Sequence, residues 1–152
     1  DTRLVSREQP AAHETVVIVD IDEASLAAFG RWPWSRGTMA ALTYQLTQVQ
    51  GIAALGFDVV FAEAESPGSD LAFAKALTNQ PVVLGYYFTS DRAGHTSGAL
   101  PKPNFYPFTH KEKDFKIHNW SGYGGDLASF VEAAPQAGFF NAISSAPPSA
   151  NA

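Results

Sequence analysis

Two short apolar runs, each closed by carboxylates, organise the first half of the chain. Residues 16–19 (Val-Val-Ile-Val) lead into Asp20 and Asp22, and residues 52–57 lead into Asp58. The first run is continuous rather than alternating, which predicts a strand buried on both faces. Between the runs, Glu23 to Phe29 predicts a short helix stopped by Gly30. Pro33 bars a helix through the next six residues. Ser35 is placed to N-cap a second helix, along which Met39, Leu42, Leu46 and Val49 recur at three- and four-residue spacing and so share a face. Gly51 stands where a helix closes through a left-handed residue. Residues 52–61 then predict the second core strand, and the whole reads as a β-α-β unit with a right-handed parallel crossover.

Further along, residues 63–69 read as an acidic loop and 70–78 as a third helix with Leu71, Ala74 and Leu77 on one side. Pro81 opens a third strand over 82–88, in which Gly85 leaves room for close backbone approach. Regular signals fail over 89–125, a stretch rich in aromatics, prolines and glycines that reads as a long loop insertion. A helix is expected over 126–134 with Asp126 as its N-cap, then a strand starting at Gly138. The pattern predicts one α/β domain, a three-layer sandwich with a mostly parallel central sheet, over 1–144. Residues 145–152 are expected to be a flexible tail.

Composition narrows the function classes. The 152 residues are 45% hydrophobic and only 16% charged, with a net charge of −5, a globular composition. Mild acidity without a Lys/Arg cluster argues against nucleic acid. There is no cysteine, so disulfides and thiolate metal sites are excluded. No apolar run reaches the ~20 residues needed to span a bilayer. Both ends look cut, so any targeting or membrane segment of the parent protein would lie outside this chain.

Candidate chemistry gathers at the strand ends. Asp20 and Asp22, alternate residues of the expected strand, would face one side and call for a cation, a donor or a proton. Val17 to Asp22 resembles the first motif of haloacid-dehalogenase-like phosphatases, in which the first Asp is the nucleophile, the second a general acid, and magnesium bridges. The chain departs from that motif at Glu23-Ala24, where a small residue and threonine are usual, and no convincing downstream lysine and acidic pair follow. The plainer alternative is that Asp22 or Glu23 caps the short helix while Asp20 meets Arg36 or a backbone amide. The segment Arg31-Trp32-Pro33-Trp34-Ser35-Arg36 is either a recognition surface or a cover for the sheet edge, with Arg36 tied to Asp20, Asp22 or Asp58. The residues expected to line a ligand site are Asp20, Asp22, Trp32, Trp34, Arg36 and Asp58. His13, His95, His110 and His118 fit no metal spacing, and no metal or cofactor is expected. Gly122-Tyr123-Gly124-Gly125 reads as a turn, with anion binding the weaker alternative. Phe105, Tyr106, Phe108, Phe115, Trp120 and Tyr123 are candidates for core closure or for a partner-facing platform.

Taken in order, these motifs resemble the type-two CHASE family of extracytoplasmic sensor domains. The residues that carry the resemblance are 16–23 (Val-Val-Ile-Val-Asp-Ile-Asp-Glu), 30–36 (Gly-Arg-Trp-Pro-Trp-Ser-Arg), 56–61, 70–77, 81–85 and 137–141 (Ala-Gly-Phe-Phe-Asn). The resemblance implies a non-enzymatic sensing module tethered to the cytoplasmic membrane on its outer, periplasmic side. It implies an unknown small-molecule or protein stimulus, a homodimeric receptor, and an output domain such as a nucleotide cyclase, histidine kinase, diguanylate cyclase or protein kinase. The family pattern usually continues past the Asn with an Asp-Gly-Val-x-Arg-like segment. This chain has Ser, Pro and Ala there, so either the domain is truncated at its C-terminal end or this member departs from the pattern. Two rival readings are a magnesium-dependent phosphohydrolase using Asp20 and Asp22, and a protein-interaction domain without a small ligand.

Overall fold

The computed structural model describes residues 16–90, 93–102 and 120–141. The expected tail and Phe105, Tyr106, Phe108 and Phe115 of the aromatic stretch lie outside the described residues. The chain divides into two compact units, Asp1–Trp34 and Ser35–Ala152. No helix among the described residues is long and apolar enough to cross a membrane.

In the first unit, helix α1 spans Glu23–Phe29. Asp22 caps it, accepting from the Ser25 amide at 2.8 Å and the Ser25 hydroxyl at 2.7 Å. Gly30 ends it at φ 90°, its N–H returned to the Leu26 carbonyl. The strand expected over 16–20 is not in a ladder, and Val16 to Val19 are exposed. A continuous apolar run becomes a strand only beside another strand, and the described residues of this unit offer a single seven-residue helix. After α1, Trp34 donates its indole N–H to the Gly30 carbonyl at 2.9 Å and sits 5.4 Å from Phe29 and 6.0 Å from Trp32, ring to ring.

The second unit opens with Ser35, which caps helix α2 (Arg36–Tyr44) by accepting from the Thr38 amide. The helix continues as a π-helical turn, Gln45–Val49. Its buried face runs through Arg36, Met39, Thr43 and Thr47 rather than out to Val49, which is 57% exposed. The reason is visible in the backbone. Thr43 and Thr47 turn their hydroxyls back onto the carbonyls of Met39 and Thr43, both at 2.8 Å, which satisfies them in the core and loosens the ladder. The wider π turn then rotates Val49 off the apolar stripe. Gly51, at φ 63°, closes the segment as expected.

Strand β1 (Leu55–Gly56) is shorter than the 52–61 run, and helix α3 (Pro67–Leu77) starts earlier than expected because Ser66 caps it and Pro67 fits its first turn. Its buried face is Asp70, Phe73, Ala74 and Leu77, whereas Leu71 is exposed. Strand β2 (Val82–Thr89) is the spine of the sheet. Its first half lies between β1 and β5 (Gln136–Phe139), both parallel to it, with Leu55 opposite Val82 and Leu84 opposite Ala137. Its second half pairs antiparallel with β4 (Gly122–Gly124), which in turn pairs parallel with β3 (Thr96–Ser97). The fold is therefore α/β with a mixed sheet of five strands among the described residues.

Two corrections follow for the 89–125 stretch and its exit. Gly122-Tyr123-Gly124, read as a turn, is a strand, because the glycines leave room for neighbours: a Cβ on Gly124 would fall inside the Tyr87 ring. Asp126 does not cap the following helix α4 (Ala128–Ala133); Leu127 occupies the cap position and Asp126 is buried. Gly85 admits a close neighbour, but it is the Phe140 ring, lying where its Cβ would be, rather than the backbone that was expected there. In the core, Phe57, Phe61, Phe73 and Phe130 stack edge to face, with Phe73 5.0 Å from both Phe61 and Phe130.

Candidate functional site

The charged groups that the second unit buries converge on this phenylalanine cluster. Arg36 reaches it because Ser35 starts α2 one residue earlier, and its side chain turns inward. Its Nε donates to Asp70 at 3.3 Å, and its Nη2 donates to the Glu63 carbonyl at 2.6 Å. The guanidinium carbon lies 4.9 Å from the Phe61 ring centre and 5.5 Å from that of Phe130. The Arg36 amide, one of the free donors of the α2 N-terminus, is taken by the Glu65 carboxylate at 2.7 Å. Asp70 completes the circuit by accepting from the Glu65 amide at 3.1 Å. One side chain thus ties α2, the 63–66 loop and α3 together. A buried pair of this kind is costly to desolvate and costlier to leave half made.

Asp126 is the second buried carboxyl, with 2% of its surface exposed. Its Oδ1 accepts from the Phe61 amide at 2.7 Å, the Leu127 amide returns to the Phe61 carbonyl at 2.9 Å, and the Ala99 amide donates to the Asp126 carbonyl at 2.7 Å. Burial pushes this carboxyl up to about 6, opposed by the Phe61 N–H and by the Arg36 charge. It is therefore a group that exchanges its proton in the near-neutral range.

The six residues expected to line a ligand site are distributed between the two units. In the first, Asp20 is exposed, Asp22 is the α1 cap, and Trp32 and Trp34 form an edge-to-face pair with Trp32 39% exposed. The Ser25 hydroxyl and then its amide hold the Asp22 carboxyl below its ordinary value. In the second unit, Arg36 is buried against Asp70 and the two phenylalanines, and Asp58 is exposed. The capping role considered for Asp22 is the one observed.

Asp70 and Asp126 were missed. Asp70 carried a usable signal: it lies three, four and seven residues before Phe73, Ala74 and Leu77, so helical spacing alone places a carboxylate on the apolar stripe. Asp126 carried none, because an Asp one or two residues before a helix is ordinarily its cap. Asn141 was noticed only as part of a motif. Its side chain accepts from the Phe88 amide at 2.6 Å and donates to the Phe88 carbonyl at 3.0 Å, filling the ladder where β2 leaves β5 for β4. Among the described residues, no group of three or more His, Asp or Glu side chains could hold a metal ion.

The CHASE2 domain family model matches residues 1–146. The chain belongs to the CHASE2 family, a family of extracellular sensor domains found in signal-transduction receptors. Comparison with curated proteins and with solved structures gives no match.

Proposed function

We propose that the chain is the input domain of a membrane-tethered receptor, placed on the outer, periplasmic side of the cytoplasmic membrane, and that it binds its stimulus without transforming it. The observation that carries this reading is the family match over almost the whole chain. Catalysis would lie in a separate output domain, such as a nucleotide cyclase, histidine kinase or diguanylate cyclase, in a homodimeric receptor. The exposed Trp32 edge, with Asp20 beside α1, is the surface proposed to meet a small molecule or a protein. A stimulus acts only by binding one conformation better than another.

The geometry weighs against the phosphohydrolase alternative. That reading needs the second Asp as a proton donor, yet the Asp22 carboxylate accepts both Ser25 donors and is held toward its ionised form. The test is the output of the parent receptor with residues 16–141 present or replaced by a flexible linker. Loss of stimulus dependence with basal output retained supports the reading. An unchanged response to the stimulus refutes it.

A further inference from the structure

We propose that Asp126 is a proton-operated latch joining α4 to the segment that follows β1 and to the Ala99 strand end. The position is a junction of three segments: the Asp126 carboxyl holds the Phe61 amide, its carbonyl holds the Ala99 amide, and its neighbour Leu127 returns to the Phe61 carbonyl. A change at this carboxyl is felt at once by all three.

Charge counting gives the latch its two states. Among the described residues the buried cluster contains one cation, Arg36 on α2, and that cation already has a carboxylate partner in Asp70 on α3. With Asp126 neutral the cluster is balanced. With Asp126 ionised it carries an excess negative charge at a site that is 2% exposed, where an unpaired charge is strongly disfavoured. Among the described residues, the other charged groups on the surrounding elements do not offer a second cation. Glu65 of the 63–66 loop is occupied with the Arg36 amide, Glu63 presents its carbonyl to Arg36, and Glu132 on α4 is exposed. Lys75 on α3 is exposed as well, and so are His95 and Lys102, which flank Ala99 in the chain. Among the described residues, Arg36 is the cation whose charge acts on Asp126, and it lowers the cost of ionisation without cancelling it.

The protonated latch is the tight form. Ionisation is relieved by water reaching the carboxylate or by the start of α4 shifting outward, so the junction loosens as the surroundings become more alkaline. This goes beyond the sensor reading and does not rest on it, since it concerns the chain by itself.

The experiment is a carbon-detected carboxyl titration of the 152-residue chain from pH 4 to pH 8, with the amide shifts followed in the same samples. The Asp126 carboxyl carbon is expected to titrate with a midpoint near 6, and the Phe61 and Ala99 amides to move with that same midpoint. In Asp126→Asn both amides become insensitive to pH over this range. A carboxyl carbon that titrates in the ordinary carboxylate range overturns the proposal, as do Phe61 and Ala99 amides that stay still while the carboxyl titrates. The wild-type titration decides the matter by itself if the variant does not fold.

Discussion

Replacing Arg36 by alanine tests whether this arginine holds the fold or waits for a ligand. The truncation leaves Asp70 buried without its cation, and breaking one side of a buried pair costs about 3–5 kcal/mol. It also removes the charged hydrogen bond to the Glu63 carbonyl, worth about 1.5–3 kcal/mol, and the two ring contacts with Phe61 and Phe130. These terms overlap because one group makes them all, so the net expectation is about 4 kcal/mol. That is a large share of the roughly 5–15 kcal/mol available to a domain. The assay is urea unfolding of the wild type, Arg36→Ala, Asp70→Ala and the double variant. The second substitution is expected to cost far less in the Arg36→Ala background, with a coupling of about 2–3 kcal/mol, since the stranded charge is then gone. A single-variant loss under about 1 kcal/mol with additive behaviour in the double variant would refute the reasoning, because it is what an arginine facing solvent or an open pocket gives.

Other substitutions probe the remaining features. Asp126 holds its proton to higher pH when folded than its ordinary 3.8, so the folded state loses stability as pH rises from about 4 to about 6, by up to about 3 kcal/mol at 1.36 kcal/mol per unit. Asp126→Asn keeps an acceptor for the Phe61 amide, and unfolding at pH 7 should show it more stable than wild type, with the difference vanishing near pH 4. Asp22→Ala removes the α1 cap and should speed hydrogen exchange at the Ser25 amide. In the wild type that protection is present above the ordinary carboxylate range and is lost as pH falls through the lowered Asp22 value. Gly85→Ala drives a methyl group into the Phe140 ring and should cost about 1–3 kcal/mol in urea unfolding. Asn141→Ala strands both polar groups of Phe88 and should cost about 1–3 kcal/mol, with faster exchange of the Phe88 amide.

Local chemistry carried much of this fold into the sequence. Ser35 and Gly51 bounded the second helical segment because capping and left-handed closure depend on single residue types. The apolar and aromatic run at 82–88 became the spine of the sheet, and Gly85 signalled a close neighbour there, which is the Phe140 ring. What escaped was set by partners distant in the chain. The run at 16–19 had the signature of a buried strand, but pairing is decided by a neighbour and not by the run. The Gly-Tyr-Gly of β4 looked like a turn because its glycines serve neighbours rather than backbone bends. Val49 fell off its predicted stripe through two threonine hydroxyls that periodicity does not register. At the site, Arg36 was rightly singled out as a residue in need of a carboxylate. Its partner came from a helix 34 residues away, and Asp126 reached its backbone donor across 65.

The chain is proposed to respond to a stimulus by binding it rather than by converting it. The most direct test is thermal unfolding of the 152-residue chain against small metabolites, anions and divalent cations, with each compound recovered and analysed afterwards. A compound that binds the folded state alone stabilises it by about 2.7 kcal/mol at a hundredfold excess over its dissociation constant. The account predicts a raised midpoint with the compound recovered intact, and a smaller rise in Trp32→Ala. A phosphate ester consumed in the presence of magnesium, with turnover abolished by Asp20→Asn, would contradict it.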